Sequence, residues 1–353
     1  MNFASDNWAG ASPRIIEALA RGADGIAPAY GQDDLTRELK ARLADLFGCE
    51  VGVLFAATGS AANSLALSAL SPPYGAVYAY EEAHIVGDEA GAPEFFTQGA
   101  RLVPIAGAGG KLTPAGLEAT LARGSGSGSA IPKPAVLSIT QATESGTVYR
   151  RGEITALTEI ARARGLKVHM DGARFANAFA FLKKADGISP ADITWKAGVD
   201  ALAFGLTKNG ALMAEAVVLF EPEKAAEIEW LRKRSGHVVS KAWPIAAQFL
   251  AMLENDHWLD LARHANGMAA ALSQGLVAAG HQLGYETQAN EVFAILPKTV
   301  IAQLRQAGAR LYEWPVHGLQ ADRRPAADAD LVRLVTSFAT KDEEVKRFLA
   351  LVG

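Results

Sequence analysis

The chain has 353 residues, with 34 Lys and Arg against 38 Asp and Glu. This length predicts about two domains or one large one, and an apolar content of 50% is enough for a substantial core. The net charge of −4 has no pole of either sign, which argues against nucleic acid or an anionic membrane as the main partner.

Cysteine content and the N-terminus indicate the compartment. Cys49 is the one cysteine, which excludes a disulfide framework within the chain and favours a reducing environment. The first residues lack the pattern of a signal peptide, and no run of about 18 apolar residues predicts a transmembrane helix. We therefore expect a soluble, cytoplasmic protein.

Helical and strand patterns alternate through the first two-thirds of the chain. Residues 33–47 form an amphipathic helix pattern behind Asp33, residues 51–56 a buried strand, and residues 60–70 a helix with Ser60 as the predicted N-cap. Further short buried strands are predicted at 76–80, 102–105, 135–139, 167–170, 201–204 and 216–220, with a helix at 154–164. This alternation predicts an α/β fold, a mainly parallel sheet with helices on both faces.

Beyond about residue 225 the pattern changes. Helical segments are predicted at 223–234 and 244–276, and the tail mixes strands at 292–296, 310–314 and 331–338 with helices at 298–307 and 341–351. We interpret the tail as a smaller α+β domain at 246–353, after an N-terminal segment and large domain at 1–245. The Gly/Ser repeat at 124–129 predicts a mobile surface loop.

An acid and a lysine each follow a predicted strand of the sheet. Asp171 ends the strand near 167–170, and Lys208 follows the strand at 201–204, so both would face the carboxyl edge where ligands bind. Schiff-base catalysis with pyridoxal phosphate (PLP) needs such a pair, because the carboxylate keeps the pyridine nitrogen protonated. A Thr58-Gly59-Ser60 turn before a helix suits a phosphate group, although similar turns are common in α/β folds.

Longer motifs carry a resemblance to a known family. They lie at 3–7, 29–31, 61–67, 83–84, 91–96, 110–114, 139–144, 171–174 and 207–210. With these motifs, which run through nearly the whole chain, the sequence resembles the low-specificity L-threonine aldolases. That family forms part of the β-eliminating-lyase branch of the aspartate-aminotransferase fold, the fold type I of PLP enzymes.

The resemblance implies a lyase and a set of site residues. Such an enzyme cleaves the Cα–Cβ bond of L-threonine, L-allo-threonine or a related β-hydroxy-α-amino acid to glycine and an aldehyde. The implied roles are Lys208 for the covalent bond to PLP, Asp171 for the pyridine nitrogen, Thr58, Gly59 and Ser60 for the phosphate, His84 for stacking on the ring near the substrate hydroxyl, and Ser5, Arg174 and Arg333 for the substrate carboxylate. His84, or a water near it, is the first candidate for the base. A homotetramer is expected, built as a dimer of dimers, with Tyr30 contributed from the partner subunit.

One position departs from the family pattern. The family carries a second histidine before the strand at 135–139, where this chain has Ala130. Alanine cannot form the hydrogen bond to the substrate's β-hydroxyl, which leaves open which β-hydroxy amino acid is preferred.

Several simpler interpretations stand beside these assignments. Lys196 is a rival lysine, but it precedes its strand and suits a structural role. Asp171 alone would be typical of a turn, and Arg174 could pair with it structurally. The basic run at 232–234 suits a solvated helix face or contact with a neighbouring subunit's phosphate.

Alternatives also remain for the function. The histidines show no metal-ligand spacing, so we expect no metal site. The alternatives are another PLP reaction on the same scaffold, such as β-elimination or racemisation, and a non-catalytic PLP- or amino-acid-binding module.

Overall fold

A computed structural model describes residues 1–123 and 128–353 of the chain. Residues 124–127, most of the predicted Gly/Ser loop, lie outside the described residues, and Gly128–Ala130 forms a short 3-10 helix. The described helices are α1 Pro13–Gly22, α2 Asp34–Phe47, α3 Gly59–Leu70, α4 His84–Gly87, α5 Ala92–Phe96, α6 Pro114–Arg123, α7 Arg151–Ala163, α8 Phe175–Asp186, α9 Glu223–Glu227, α10 Glu229–Arg234, α11 Trp243–Leu253, α12 His257–Ala278, α13 Lys298–Gln306 and α14 Asp342–Val352.

The larger sheet has seven strands. They are β1 Gly52–Ala56, β2 Gly75–Tyr80, β3 Arg101–Ile105, β4 Lys133–Thr140, β5 Lys167–Gly172, β6 Ala201–Gly205 and β7 Glu215–Leu219, in the order β1-β7-β6-β5-β4-β2-β3. The pairs β6–β5, β5–β4, β4–β2 and β2–β3 are parallel, whereas β7 lies antiparallel between β1 and β6. The predicted mainly parallel sheet is confirmed.

Helices cover both faces of this sheet. Alternate side chains of β1, such as Val53 and Leu54, enter two different hydrophobic cores, as strand geometry requires. One core includes Leu65 of α3, and the other includes Leu157 of α7 and Phe249 of α11. Because both faces are apolar and covered, the strands are short apolar runs without alternation, as expected for a buried parallel sheet.

A second sheet is formed by the C-terminal part of the chain. Its strands are β8 Gln282–Leu283, β9 Glu291–Pro297, β10 Tyr312–Glu313 and β11 Ala329–Val335, in the antiparallel order β10-β11-β9-β8. It packs with α12, α13 and α14 around a core that also holds Phe3 from the N-terminus. The division of the chain at 245/246 stays a prediction.

Two predicted boundaries are wrong for local reasons. The helix predicted at 244–276 is two helices, α11 and α12, because Asn255 and Asp256 between them adopt positive φ angles of 52° and 56°. The N-cap of α3 is Thr58 rather than Ser60, since the Thr58 side chain accepts the N–H of Ala61 at 3.1 Å. Asp33 caps α2 through the N–H of Thr36, as its position predicts.

Among the helices that the structure describes, none combines the length and the apolar content required to cross a bilayer.

Candidate active site

A cavity of about 290 Å³ opens at the carboxyl edge of the large sheet. Residues that follow β1, β5 and β6 line it, together with the end of β4 and the start of α4. Seven of the predicted site residues meet there: Thr58, Gly59, Ser60, His84, Asp171, Arg174 and Lys208. Ser5, Tyr30 and Arg333 do not line this cavity.

The turn between β1 and α3 forms one wall. Thr58 caps the helix, and a Cβ atom added to Gly59 would meet nothing within 4 Å, so open space lies above the turn. The first turn of a helix leaves N–H groups without intrahelical partners, and the helix dipole favours an anion at this end. The turn therefore suits a phosphate group.

Asp171 lies at the end of β5, and its side chain is buried and firmly oriented. One oxygen, Oδ1, accepts the N–H of Ala173 at 3.0 Å, and Oδ2 accepts Nδ2 of Asn63 at 2.9 Å. These two donors fix the side chain in one orientation at the wall of the cavity.

Lys208 lies in a single 3-10 turn, Thr207–Asn209, directly after β6. Two contacts hold this turn: Asn209 Nδ2 donates to the carbonyl of Trp258 at 2.8 Å, and Thr207 Oγ1 accepts the N–H of Ala214 at 3.1 Å. Gly210 ends the turn with a φ of 105°, and a Cβ there would lie 3.0 Å from Leu261. The turn thus requires glycine and fixes the backbone that carries the lysine.

The rival lysine lies elsewhere. Lys196 has its Nζ 3.9 Å from Asp192 Oδ1 and 5.7 Å from the centre of the Trp195 ring, outside the cavity. These contacts favour the structural interpretation of Lys196.

His84 begins α4, and its ring reaches a buried carboxylate. Its Nδ1 lies 2.8 Å from Glu89 Oε1, and this hydrogen bond is the main cause of a raised pKa for the imidazole. The backbone N–H of His84 donates to Glu144 Oε1 at 2.8 Å. The histidine is therefore anchored through both its ring and its backbone.

Two further buried carboxyls line the cavity, and we did not single them out from the sequence. Burial raises the pKa of Glu144 and of Glu215 to about 7 each. Glu144 also accepts a hydrogen bond from Thr140 Oγ1 at 2.9 Å. A signal was present at Glu215, since a glutamate directly before the apolar run 216–219 is unusual in a buried strand.

The raised pKa of Glu215 predicts a pH-dependent cost in stability. The unfolded glutamate ionises near pH 4.5 and the folded one near 7, so the folded state holds the extra proton and stability falls as pH rises between these values. We expect Glu215→Gln, which mimics the neutral acid, to exceed the wild type in free energy of unfolding by roughly 3 kcal/mol at pH 8 and by little at pH 5.

Urea unfolding of the PLP-loaded protein at both pH values measures this difference. The matched control is Glu159→Gln on the exposed face of α7, where the same substitution should give no pH-dependent gain. A gain for Glu215→Gln of equal size at pH 5 and pH 8 would contradict the prediction.

Arg174 forms the centre of a buried charge cluster. Its Nε and Nη2 donate to Asp6 at 2.7 and 3.1 Å, and its Nη1 lies 3.3 Å from Glu291 Oε2. The suggested structural pairing of Arg174 with Asp171 is thus replaced by pairing with Asp6 and Glu291. Arg333 on β11 shares Glu291 at 4.0 Å and lies over the Trp314 ring at 4.1 Å from its centre.

The remaining predicted residues lie around the cavity. Ser5 Oγ accepts the N–H of Asn7, which itself lines the cavity. Tyr30 is 58% exposed, with Lys233 Nζ of the basic run 5.4 Å from its ring centre. Ala130 precedes β4, whose opposite end supplies Thr140 to the cavity, and so lies away from the site within this chain.

Within residues 1–123 and 128–353, no group of three or more His, Cys, Asp or Glu side chains is arranged to hold a metal ion.

The seven-stranded sheet and the site at its carboxyl edge define an α/β enzyme of fold type I. The family model for beta-eliminating lyases matches residues 2–299, and the chain belongs to the beta-eliminating lyase family. The chain is thus a lyase, as its sequence predicts.

Curated relatives agree with this family. The chain is 43% identical to the low specificity L-threonine aldolase of a Pseudomonas species and 44% identical to that of Pseudomonas aeruginosa, each over 88% of both chains. These two matches and the family confirm the resemblance to the low-specificity L-threonine aldolases.

Solved structures agree on the fold. A threonine aldolase from Leishmania major matches with a TM-score of 0.90 and 29% identity, covering 99% of this chain and 98% of that one. The serine palmitoyltransferase of Sphingomonas wittichii matches with a TM-score of 0.72 over 100% of this chain and 86% of its own. At 17% identity, that likeness concerns the fold alone.

Proposed function

We propose that this lyase is a PLP-dependent aldolase that cleaves the Cα–Cβ bond of L-threonine, L-allo-threonine or a related β-hydroxy-α-amino acid to glycine and an aldehyde. The observation that carries the proposal is the meeting of Lys208, Asp171 and the Thr58 turn in one cavity. The names of the Pseudomonas relatives support the aldolase reaction over other PLP chemistries.

The residues present fit PLP. A lysine amine, a buried carboxylate fixed by two donors, and a helix N-terminus with open space over Gly59 match the aldehyde, the pyridine nitrogen and the phosphate of the cofactor. Lys208 would hold PLP covalently, Asp171 would keep its ring nitrogen protonated, and Thr58, Gly59 and Ser60 would bind the phosphate. When bound, PLP supplies an acceptor for the electron pair released at Cα.

In this proposal Arg174 binds the substrate carboxylate, and Arg333 and Ser5 are further contacts. One edge of the Arg174 guanidinium donates two hydrogen bonds to the Asp6 carboxylate, and this pair of bonds holds the guanidinium in a fixed plane. Glu291 lies between the two arginines, 3.3 Å from Arg174 and 4.0 Å from Arg333, and burial raises its pKa.

Removal of the β-hydroxyl proton takes place, in this proposal, at the end of the cavity where His84 and Glu144 lie. The resemblance makes His84 or a nearby water the first candidate for the base. Glu144 is a second candidate, because a carboxyl with a pKa of about 7 exchanges a proton readily near neutral pH.

Release of an aldehyde tests the function. The PLP-loaded protein should form glycine and acetaldehyde from L-threonine or L-allo-threonine, or benzaldehyde from L-phenylserine. Slow aldehyde release from L-threonine with fast release from L-phenylserine would mean that the loop before β4, which carries Ala130, has changed the substrate preference. A keto acid and ammonia would select β-elimination, and a D-amino acid would select racemisation. PLP binding without any turnover would select a binding module and overturn the aldolase.

We also propose a cytoplasmic homotetramer, with Tyr30 facing the site of a partner subunit. Exposed apolar side chains support a subunit contact: Leu212 and Met213, which follow the Lys208 turn, are 51% and 41% exposed, and Tyr30 is 58% exposed. Light scattering that gives the mass of one chain at full turnover would contradict the tetramer. The low net charge of −4 supports a small amino acid, rather than nucleic acid or membrane, as the ligand.

A further inference from the structure

A buried carboxylate, Glu89, lies behind the cavity and bonds to a residue that lines it. The side chain of Glu89 has no exposed surface, and its Oε1 accepts two hydrogen bonds. One comes from His84 Nδ1 at 2.8 Å, and the other comes from Asn63 Nδ2 at 2.9 Å. Its Oε2 has no hydrogen-bond partner in the described part of the chain. These two contacts supply hydrogen-bond donors, which a buried acidic side chain requires.

Asn63 connects Glu89 to Asp171. Its Nδ2 donates to Glu89 Oε1 and to Asp171 Oδ2, each at 2.9 Å, so one amide nitrogen serves two carboxylates. An amide nitrogen has two hydrogens, and both are used here. The reverse orientation of the amide would set its oxygen against two acceptors. The arrangement of Asn63 is therefore fixed by the two acids that it joins.

The same carboxylate holds a proton on His84. The hydrogen bond from Nδ1 to Glu89 raises the pKa of the ring; burial acts against this, Asp171 adds to it, and Lys208 opposes it. With Nδ1–H directed to Glu89, Nε2 is the ring atom left to face other groups. Around this ring the charged groups are Glu89 after α4, Asp171 on β5 and Lys208 after β6, and Glu144 is bonded to the backbone N–H of His84.

We propose that Glu89 is a positioning residue of this site. It keeps a hydrogen on Nδ1 of His84, which makes His84 a hydrogen-bond donor through Nε2 when the ring is charged, and through Asn63 it holds Asp171 in its observed orientation. The inference rests on the proposed function, because it assigns how two residues of the PLP site are set. The inference goes beyond the proposed function because it assigns the orientation of both His84 and Asp171 to one acid outside the cavity, Glu89.

The first test measures the titration of His84 directly. Exchange of the imidazole C2 hydrogen for deuterium, followed residue by residue with peptide mass spectrometry, gives the midpoint for His84 in the PLP-loaded protein. Glu89→Gln keeps the shape of the side chain and removes its charge, so we expect the midpoint to move to lower pH by about one unit. Glu89→Asp keeps the charge on a shorter side chain, so its His84 midpoint should lie between those of the wild type and Glu89→Gln. The control, exposed Glu159→Gln, should leave the midpoint in place.

The second test follows Asp171 through the cofactor. Asn63→Leu preserves approximate volume and removes the link, which leaves Asp171 Oδ2 without its donor. The visible absorbance of bound PLP and its pH dependence should change in this variant, while the His84 midpoint moves less than in Glu89→Gln. If Glu89→Gln does not fold, Glu89→Asp and Asn63→Leu carry the test.

Two results would overturn the inference: a His84 midpoint in Glu89→Gln equal to that of the wild type, or an unchanged cofactor absorbance in Asn63→Leu. Neither measurement requires turnover. Absence of aldehyde with the wild-type protein would therefore refute the aldolase without affecting the exchange data, and an unchanged midpoint would refute the role of Glu89 with the aldolase intact.

Discussion

The Lys208→Ala variant should lose turnover of every β-hydroxy amino acid by at least about three orders of magnitude. Its amine is the nucleophile that the proposed chemistry requires, and alanine offers no substitute. The fold should persist, because the Thr207–Asn209 turn is held by Asn209, Thr207 and Gly210 rather than by the lysine side chain. Aldehyde release measures turnover, and circular dichroism with thermal unfolding measures the fold.

Lys196→Ala is the matched control for this variant. It removes a lysine whose neighbours are Asp192 and the Trp195 ring, outside the cavity, so turnover should stay near that of the wild type. Near-normal turnover in Lys208→Ala, or a comparable loss of turnover in Lys196→Ala, would contradict the assignment of Lys208 as the lysine that binds PLP.

The second large effect is expected for Asp171→Asn. The neutral amide cannot hold a proton on the pyridine nitrogen, and one end of it must set an NH2 group against a donor, either Asn63 Nδ2 or the N–H of Ala173. We expect turnover to fall by about a hundredfold to a thousandfold, as for loss of one fixed charge at a reacting centre. PLP should also dissociate faster, which dialysis followed by absorbance measures independently of turnover.

Asp200→Asn provides the comparison for Asp171→Asn. Asp200 likewise accepts a backbone N–H, that of Val168 at 2.7 Å, but it lies outside the cavity and pairs with Lys167. Its variant should bind PLP and turn over substrate much as the wild type does. Equal losses in both variants would mean that Asp171 acts through stability alone.

Much of the fold follows from local patterns. The apolar runs predicted the strands of the large sheet, and the alternation with helices predicted their mainly parallel arrangement. Because the carboxyl ends of parallel strands meet at one edge, Asp171 and Lys208 were expected at the same place, and both line the cavity. The break between α11 and α12 was not predicted, although the polar run at 254–257 interrupts the apolar pattern there.

The partners of the site residues did not follow from such patterns. Arg174 pairs with Asp6, 168 positions away, and Asn63 reaches Asp171 across 108 positions. Asp6 and Asn63 lie within the motifs at 3–7 and 61–67, yet nothing in those motifs names their partners. Glu89 lies outside the quoted motifs, and its neighbours in sequence give no sign that it bonds to His84.

Fold class, the lysine–carboxylate pair and the phosphate turn are encoded over short windows, because periodicity and side-chain chemistry act between near neighbours. The pairing of Arg174, the link through Asn63 and Glu89, and the pKa values near 7 of Glu144 and Glu215 arise only when distant segments pack together. Burial and partner charges determine a carboxyl's pKa. Burial and partner charges cannot be derived from a short window of sequence, because both come from the rest of the folded chain.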